Sequence, residues 1–321
     1  MQKRQLGNTE LKVAPITFGG NVFGWTLDQD KSFEIIDAFV DAGFNFIDTA
    51  NNYSYWVKGN DGGESERIIG NWVKKRRIRD KVVIATKVGG RGKTLDKPNT
   101  SKKHIIQEVD NSLLRLKTDY IDLYQIHYDD EITPIEETLS AFQDLIQEGK
   151  IRWIGISNIS SKRLVESMEI ADKYNLPKYQ TLQPEYNLYT RKNYELNLEP
   201  LALKYNLSVL NYYALASGFL TGKYKTKDNL AQSPRGKDVE KFLDERGLRI
   251  LQVLDKISAE YKTTPAVIAL AWLLHRPSIT APIASATSLS QLEAIVQAPH
   301  IKLNDSAIIR LNEASNEYLR L

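Results

Sequence analysis

Cysteine is absent from all 321 residues, and that one absence excludes disulfides, thiolate metal sites and thiol nucleophiles together. An excess of charge is lacking as well. With 43 Lys and Arg against 40 Asp and Glu the net charge is only +3, which asks for neither nucleic acid nor an anionic membrane as partner. No apolar run approaches the roughly 20 residues of a membrane span; the longest, Pro265 to Leu274, falls far short. The opening MQKRQLGNTELKV has no apolar core of signal-peptide length, which predicts no targeting segment and a cytoplasmic protein. Low-complexity tracts and Ser/Pro-rich linkers are missing too. Of the four histidines, His104, His275 and His300 have no metal-ligand spacing, and no metal is expected.

What is present is a chain 42% hydrophobic, enough to bury a large core. Short β-branched or aromatic runs recur, each followed by an amphipathic stretch. The predicted strands are Val13–Phe18, Asn45–Asp48, Val82–Lys87, Ile121–His127, Ile151–Ser157, Tyr179–Gln183, Leu207–Tyr213 and Thr280–Ser285. Helices are predicted near 31–42, 64–77, 102–116, 134–148, 160–174, 191–205, 264–275 and 288–298. Pro134 with Glu136 and Glu137 resembles a helix first turn. Such alternation implies a parallel sheet. An open dinucleotide-binding sheet should carry G-x-G-x-x-G after its first strand. Here Gly19-Gly20 runs into Asn21 and the fingerprint is missing. The expected fold is therefore a closed (β/α)8 barrel, a single domain over residues 1–321, because such barrels reach this length as one unit.

In that fold the chemistry sits at the C-terminal ends of the strands. Asp48 closes strand two and leads to Tyr53, Lys87 closes strand three, and His127 closes strand four. Successive barrel strands are neighbours, so these residues should converge. Together they suit carbonyl reduction. Hydride addition creates an alkoxide that needs a proton, and a tyrosine can give it if an adjacent cation lowers its pKa. Lys87 would be that cation, Asp48 its partner, and a neutral His127 would orient the carbonyl oxygen. The hydride has to come from a nicotinamide. Each residue alone has a plainer reading: a structural salt bridge, a structural histidine, or a Schiff-base lysine at position 87.

At these residues the sequence resembles the aldo-keto reductase family. Leu6-Gly7-Asn8-Thr9 with Leu11-Lys12-Val13 looks like the family's opening β-hairpin, followed by Phe18-Gly19-Gly20. Phe46-Ile47-Asp48-Thr49-Ala50 with Tyr53, Gly63-Glu64-Ser65-Glu66 with Gly70, and Tyr120 to His127 with Asp130 resemble its next signatures. Gly149 to Arg152, Gly155-Ile156-Ser157-Asn158, and Leu210 to Tyr224 complete the likeness. The resemblance implies that Ser157, Asn158 and Gln183 hold the nicotinamide amide and that Tyr212 stacks on its ring. It implies that Gly20 and Asn21, with Asp48, border the cofactor, and that Leu215, Ser217 and Gly218 meet the pyrophosphate. Lys223 and Arg235 would reach a phosphate. Ser285, Thr287 and Gln291 fall where the family holds the adenosine ribose and its phosphate.

The chain also departs from the pattern. Ala294-Ile295 replace a Glu-Asn pair that contacts adenine, and no Arg or Lys lies between Ala284 and Ile295. NADP(H) is favoured over NAD(H), which stays open. Tyr213 replaces a usual serine. The segment Ser54–Gly62 is longer than the turn many members use, which makes Tyr55 a rival to Tyr53. Phe23, Trp25 and Trp56, beside Tyr53 and His127, are expected to line the substrate mouth. The expected activity is NADP(H)-dependent reduction of a small aldehyde or ketone. Two alternatives remain: a nucleotide-holding partner protein, as in potassium-channel β-subunits that resemble this family, and a Schiff-base lyase using Lys87.

Overall fold

A computed structural model describes residues 1–93, 95–232 and 235–317. Two short strands, β1 (Arg4–Gln5) and β2 (Lys12–Val13), pair antiparallel as a hairpin. The strands that follow are β3 (Thr17–Gly19), β4 (Phe46–Asp48), β5 (Val83–Val88), β6 (Ile121–Ile126), β7 (Ile151–Ser157), β8 (Thr181–Gln183), β9 (Ser208–Val209) and β10 (Ile283–Ala284). They form one parallel sheet in the order β10-β3-β4-β5-β6-β7-β8-β9. Thr280 N–H donates to Val209 O and Ile283 N–H to Asn211 O, both at 2.9 Å. Those bonds join the last edge to the first, and the sheet closes into a (β/α)8 barrel.

Helices alternate with the strands: α1 (Gln29–Asp41), α2 (Glu64–Arg76), α3 (Lys102–Leu116), α4 (Ile135–Gln147), α5 (Ser161–Tyr174) and α6 (Glu199–Lys204). Then come α7 (Gly236–Val239), α8 (Glu245–Glu260), α9 (Pro265–His275), α10 (Leu289–Gln297) and α11 (Asp305–Ala314). Asp28, Ser160, Asp244, Thr264, Ser288 and Asn304 cap α1, α5, α8, α9, α10 and α11 by accepting a first-turn N–H. Ala266 to Leu273 in α9 are buried without a break, which is why that helix is apolar all round. Among the described residues no helix is long and apolar enough to cross a membrane.

Several boundaries differ from the sequence expectation. The predicted strand Val13–Phe18 is two elements: Val13 pairs with Arg4 in the hairpin, and the barrel strand begins at Thr17 beyond Pro15. Strand seven shrinks to Ser208–Val209, and Tyr213 takes a left-handed φ of 54°. Pro134 caps α4 from outside rather than lying in its first turn. The helix expected over 191–205 contains a π-helical turn, Tyr194–Leu198, near its start. Pro200 has no N–H to give the ordinary helical bond there. Helices α7, α8 and α11 were not predicted.

The hairpin plugs the barrel at the end where the strands start. Leu6, Leu11 and Val13 are buried against Phe46, Val83, Leu123 and Leu210. The site lies at the other end.

Candidate active site

Parallel register sets Asp48 beside Ala85 and Lys87 beside Gln125, so their side chains enter the barrel mouth together. Lys87 is fully buried and spends its three ammonium protons on Asp48 Oδ2 (2.6 Å), Thr49 O (2.7 Å) and Tyr53 Oη (3.0 Å). Tyr53 reaches it because the segment after β4 is pinned from behind. Ser54, buried at a left-handed φ of 71°, donates its hydroxyl to Phe23 O at 2.8 Å. Asn60 donates to Gly24 O. The inserted segment therefore folds onto the neighbouring loop and leaves Tyr53 on the lysine. Tyr55 packs on Trp56 instead.

Burial works against the charge on Lys87, but Asp48 and the tyrosine outweigh it, and the ammonium is held above its ordinary pKa. Burial also pushes the Tyr53 hydroxyl up, with Lys87 pulling it back only in part. The net rise corrects the expectation of a lowered tyrosine. Tyr53 stays protonated at neutral pH, the form that can donate.

His127 follows β6, and its ring lies 5.9 Å from that of Tyr53. Burial and then the Lys87 charge push it well below its usual pKa, so the imidazole is neutral. Among the described residues its buried Nδ1 has no hydrogen-bond partner, and Gly90 packs there so closely that a Cβ would come within 2.7 Å.

The residues expected around a nicotinamide gather on the adjoining strand ends. Ser157 Oγ donates to Gln183 O (2.8 Å), and Asn158 Nδ2 donates to His127 O (2.8 Å). Tyr212 Oη donates to Asn158 Oδ1 at 2.8 Å. Gln183 Nε2 donates to Asp48 Oδ1 at 3.0 Å, so this group and the Lys87 group share one carboxylate.

A second group joins β3, β10 and the long loop before α8. With the Asn21 amide oriented to give each atom a partner, its nitrogen donates to Ser285 Oγ and its oxygen accepts from Arg235 Nη2, both at 2.8 Å. Ser285 Oγ donates on to Gly19 O. Gly20 is packed against Ser65 Oγ and Asp48 O with no room for a side chain. Ala216, Ser217 and Gly218 are consecutive left-handed residues. Leu215 O accepts from Gly218 N–H at 2.9 Å, and Lys223 stands over Gly218. Thr287 donates to Gln291 Oε1 through N–H and hydroxyl, leaving the Gln291 amide nitrogen as a donor.

The mouth is aromatic. Trp56, 45% exposed, meets Trp25 (5.7 Å) and Tyr53 (6.3 Å), and the Arg235 guanidinium lies over Trp25 at 5.1 Å. Phe23 does not belong to this wall. It is wholly buried and stacked on Phe18 at 5.4 Å, so its ring is core and only its carbonyl serves the loop. Two residues at the site escaped the sequence reading. Tyr128, 41% exposed, tilts over His127 at 4.9 Å. Gln125, fully buried, donates to Asp48 Oδ1 at 3.3 Å; an amide inside the apolar run Ile121–Ile126 was the signal for it. Among the described residues no cluster of three His, Asp or Glu could hold a metal.

Three strand ends of a closed parallel barrel thus deliver a buried lysine, carboxylate and tyrosine beside a neutral histidine. This combination of fold and site defines a class, and comparison with known proteins agrees with it. The model of the aldo/keto reductase family matches residues 15–316, and the chain belongs to that family. It is similar to the uncharacterized oxidoreductase YrpG of Bacillus subtilis, 34% identical over 98% of this chain and 95% of the relative. It is also similar to the aldo-keto reductase YhdN of the same organism, 34% identical over 89% of this chain and 83% of the relative. A probable voltage-gated potassium channel subunit beta of rice is 33% identical over 91% of this chain and 89% of that protein.

Proposed function

We propose that the chain is an NADP(H)-dependent reductase of aldehyde or ketone carbonyls, with Tyr53 as general acid. The observation that carries this reading is the Lys87 ammonium bonded at once to Asp48 and to Tyr53 Oη. The residues present fit a nicotinamide. Among the described residues no hydrogen bond reaches Gln183 Oε1, which is turned away from Asp48 and is free to accept. The left-handed residues Ala216, Ser217 and Gly218 make a tight turn, closed by Ala216 N–H on Tyr213 O (2.7 Å) and Gly218 N–H on Leu215 O (2.9 Å), and Lys223 beside it supplies a cation suited to a phosphate.

A bound reduced nicotinamide supplies the hydride. The chain's own residues handle the oxygen that becomes an alkoxide. Tyr53 and His127 converge on its place, the histidine orienting it by a hydrogen bond and the tyrosine giving it a proton. The Lys87 charge then stabilises the tyrosinate that the transfer creates, and Asp48 keeps Lys87 in place. Trp25, Trp56 and Tyr128 form a wall suited to an apolar or aromatic carbonyl. In this reading Ser157, Asn158, Gln183 and Tyr212 seat the nicotinamide. Leu215, Ser217, Gly218, Lys223 and Arg235 meet the phosphates, with Ser285, Thr287 and Gln291 near the ribose.

A Schiff-base lysine has to be neutral to attack a carbonyl. Lys87, charged and with all three protons committed, is poorly placed for that. The potassium-channel relatives keep a partner-protein reading alive, and one experiment separates it. NADPH and NADH are titrated against tryptophan fluorescence, and their oxidation is followed with a panel of aldehydes, ketones and sugars. The expected result is saturable micromolar or tighter NADPH binding, on the order of 8 kcal/mol, weaker NADH binding, and turnover. Binding without turnover would favour the partner protein. Absence of saturable binding would overturn both readings. Equal affinities would show Lys223 and Arg235 serving only the pyrophosphate.

A further inference from the structure

The interior of such a barrel is ordinarily filled by branched aliphatic side chains. Directly beneath the Lys87 group this one instead holds a polar layer: Asp48, Gln125, Thr181 and Gln183, none more than 2% exposed. The layer has a fixed sense. An ionised carboxylate only accepts hydrogen bonds, so Asp48 Oδ1 takes amide nitrogens from both glutamines, Gln183 Nε2 at 3.0 Å and Gln125 Nε2 at 3.3 Å. With its nitrogen committed there, the Gln125 amide turns its oxygen to the other side. That oxygen accepts from Thr181 Oγ1 at 3.3 Å and from the second proton of Gln183 Nε2 at 3.5 Å. Gly155 leaves the room for this arrangement, since a Cβ there would lie 2.1 Å from Thr181 Oγ1 and 3.1 Å from Gln125 Oε1.

Gln183 is therefore held by both its protons, and its own oxygen is the atom left to face a ligand. An isolated buried amide costs stability, whereas a satisfied network fixes one arrangement.

We propose that Gln125 is a positioning residue, which locks the Gln183 amide with its oxygen towards the coenzyme and holds the Asp48 carboxylate on Lys87. This rests on the reductase reading above. In that role Gln183 reads the amino half of the nicotinamide carboxamide and rejects a group that cannot donate. The layer also links coenzyme recognition to the proton-donating side, because both ends bond the same carboxylate.

The test uses the whole chain with NADP+ and its 3-acetylpyridine analogue, in which a methyl group replaces the amino group. Dissociation constants come from tryptophan fluorescence, and the pH dependence of NADPH oxidation is measured beside them. Wild type should bind NADP+ about tenfold tighter than the analogue, the order of one good hydrogen bond. Gln125→Met leaves Gln183 held by one bond instead of two, and the preference should shrink to about threefold. It also takes a donor from Asp48, so the carboxylate acts more strongly on its neighbours and the alkaline break in turnover should move up. Thr181→Val, which only releases the Gln125 oxygen, should move both readouts the same way by less. It decides the matter if Gln125→Met does not fold.

Wild-type preference and an unshifted pH profile in the folded variants would overturn the assignment. So would wild-type binding that does not distinguish the two coenzymes. Failure of the wild type to bind either one would instead overturn the reductase reading beneath it.

Discussion

At the scale of single residues, the pair Lys87 and Tyr53 sets the expected pH behaviour. Both groups are held above their ordinary values, the tyrosine by burial against a partial pull from Lys87, the lysine by Asp48 and Tyr53 against burial. If Tyr53 is the acid, as proposed, it is lost only on deprotonation, so reduction should stay level through neutral pH and fall in the alkaline range. Lys87→Met removes the charge that pulls Tyr53 down most strongly, and the break should move to higher pH, seen in kcat/KM against pH. Turnover should also drop by about 10²–10⁴-fold, the usual worth of assisted proton donation. A downward shift would contradict the assignment. Asp48, Lys87 and His127 stood out in the sequence because each closes an apolar run, and Tyr53 because it follows Asp48 as in the strand-two signature of the family the chain resembles. The direction of the Tyr53 shift was not legible, since it depends on how much protein covers the hydroxyl. Phe23 was misplaced for a related reason: an aromatic next to a mouth loop looks the same in sequence whether its ring faces the ligand or Phe18.

At the scale of elements, the sequence placed α3 (Lys102–Leu116) and β7 (Ile151–Ser157) to the residue, where apolar periodicity or a continuous β-branched run is strong. It failed where pairing is short or tertiary. Strands β9 and β10 are two residues each, held by barrel closure rather than by their own propensity. Helix α8 (Glu245–Glu260) was missed although it is amphipathic and capped by Asp244. An alternation of one helix per strand has no place for α8, which is an addition to that pattern. The hairpin offers a clean separation of stability from chemistry. Leu6 is fully buried at the closed end of the barrel, away from Lys87. Leu6→Ala should cost about 2–5 kcal/mol of unfolding free energy while leaving kcat and KM at 25 °C unchanged. Denaturant unfolding and steady-state kinetics on the same preparation check it, and a loss of kcat without a loss of stability would refute the division.

At the scale of the whole molecule, Val209 and Asn211 bond to Thr280 and Ile283, and β10 pairs with β3, so the late strands are tied to the first. A barrel closed in this way should unfold as one cooperative unit over residues 1–321. A single calorimetric transition is expected, raised by about 2.7 kcal/mol of stability at NADPH a hundredfold above Kd. Two separate transitions would contradict it. The same closure brings Asp48, Tyr53, Lys87 and His127 from distant parts of the chain to one mouth, and the claim that this mouth reduces carbonyls has one direct test. NADPH oxidation with the best aldehyde or ketone of the panel is measured for wild type, Tyr53→Phe and Tyr55→Phe, with NADPH affinity determined in each. Phenylalanine keeps the ring and removes only the hydroxyl on Lys87. The account predicts that Tyr53→Phe loses about 10²–10⁴-fold in turnover with coenzyme affinity nearly intact, while Tyr55→Phe retains both. Wild-type turnover in Tyr53→Phe would contradict it.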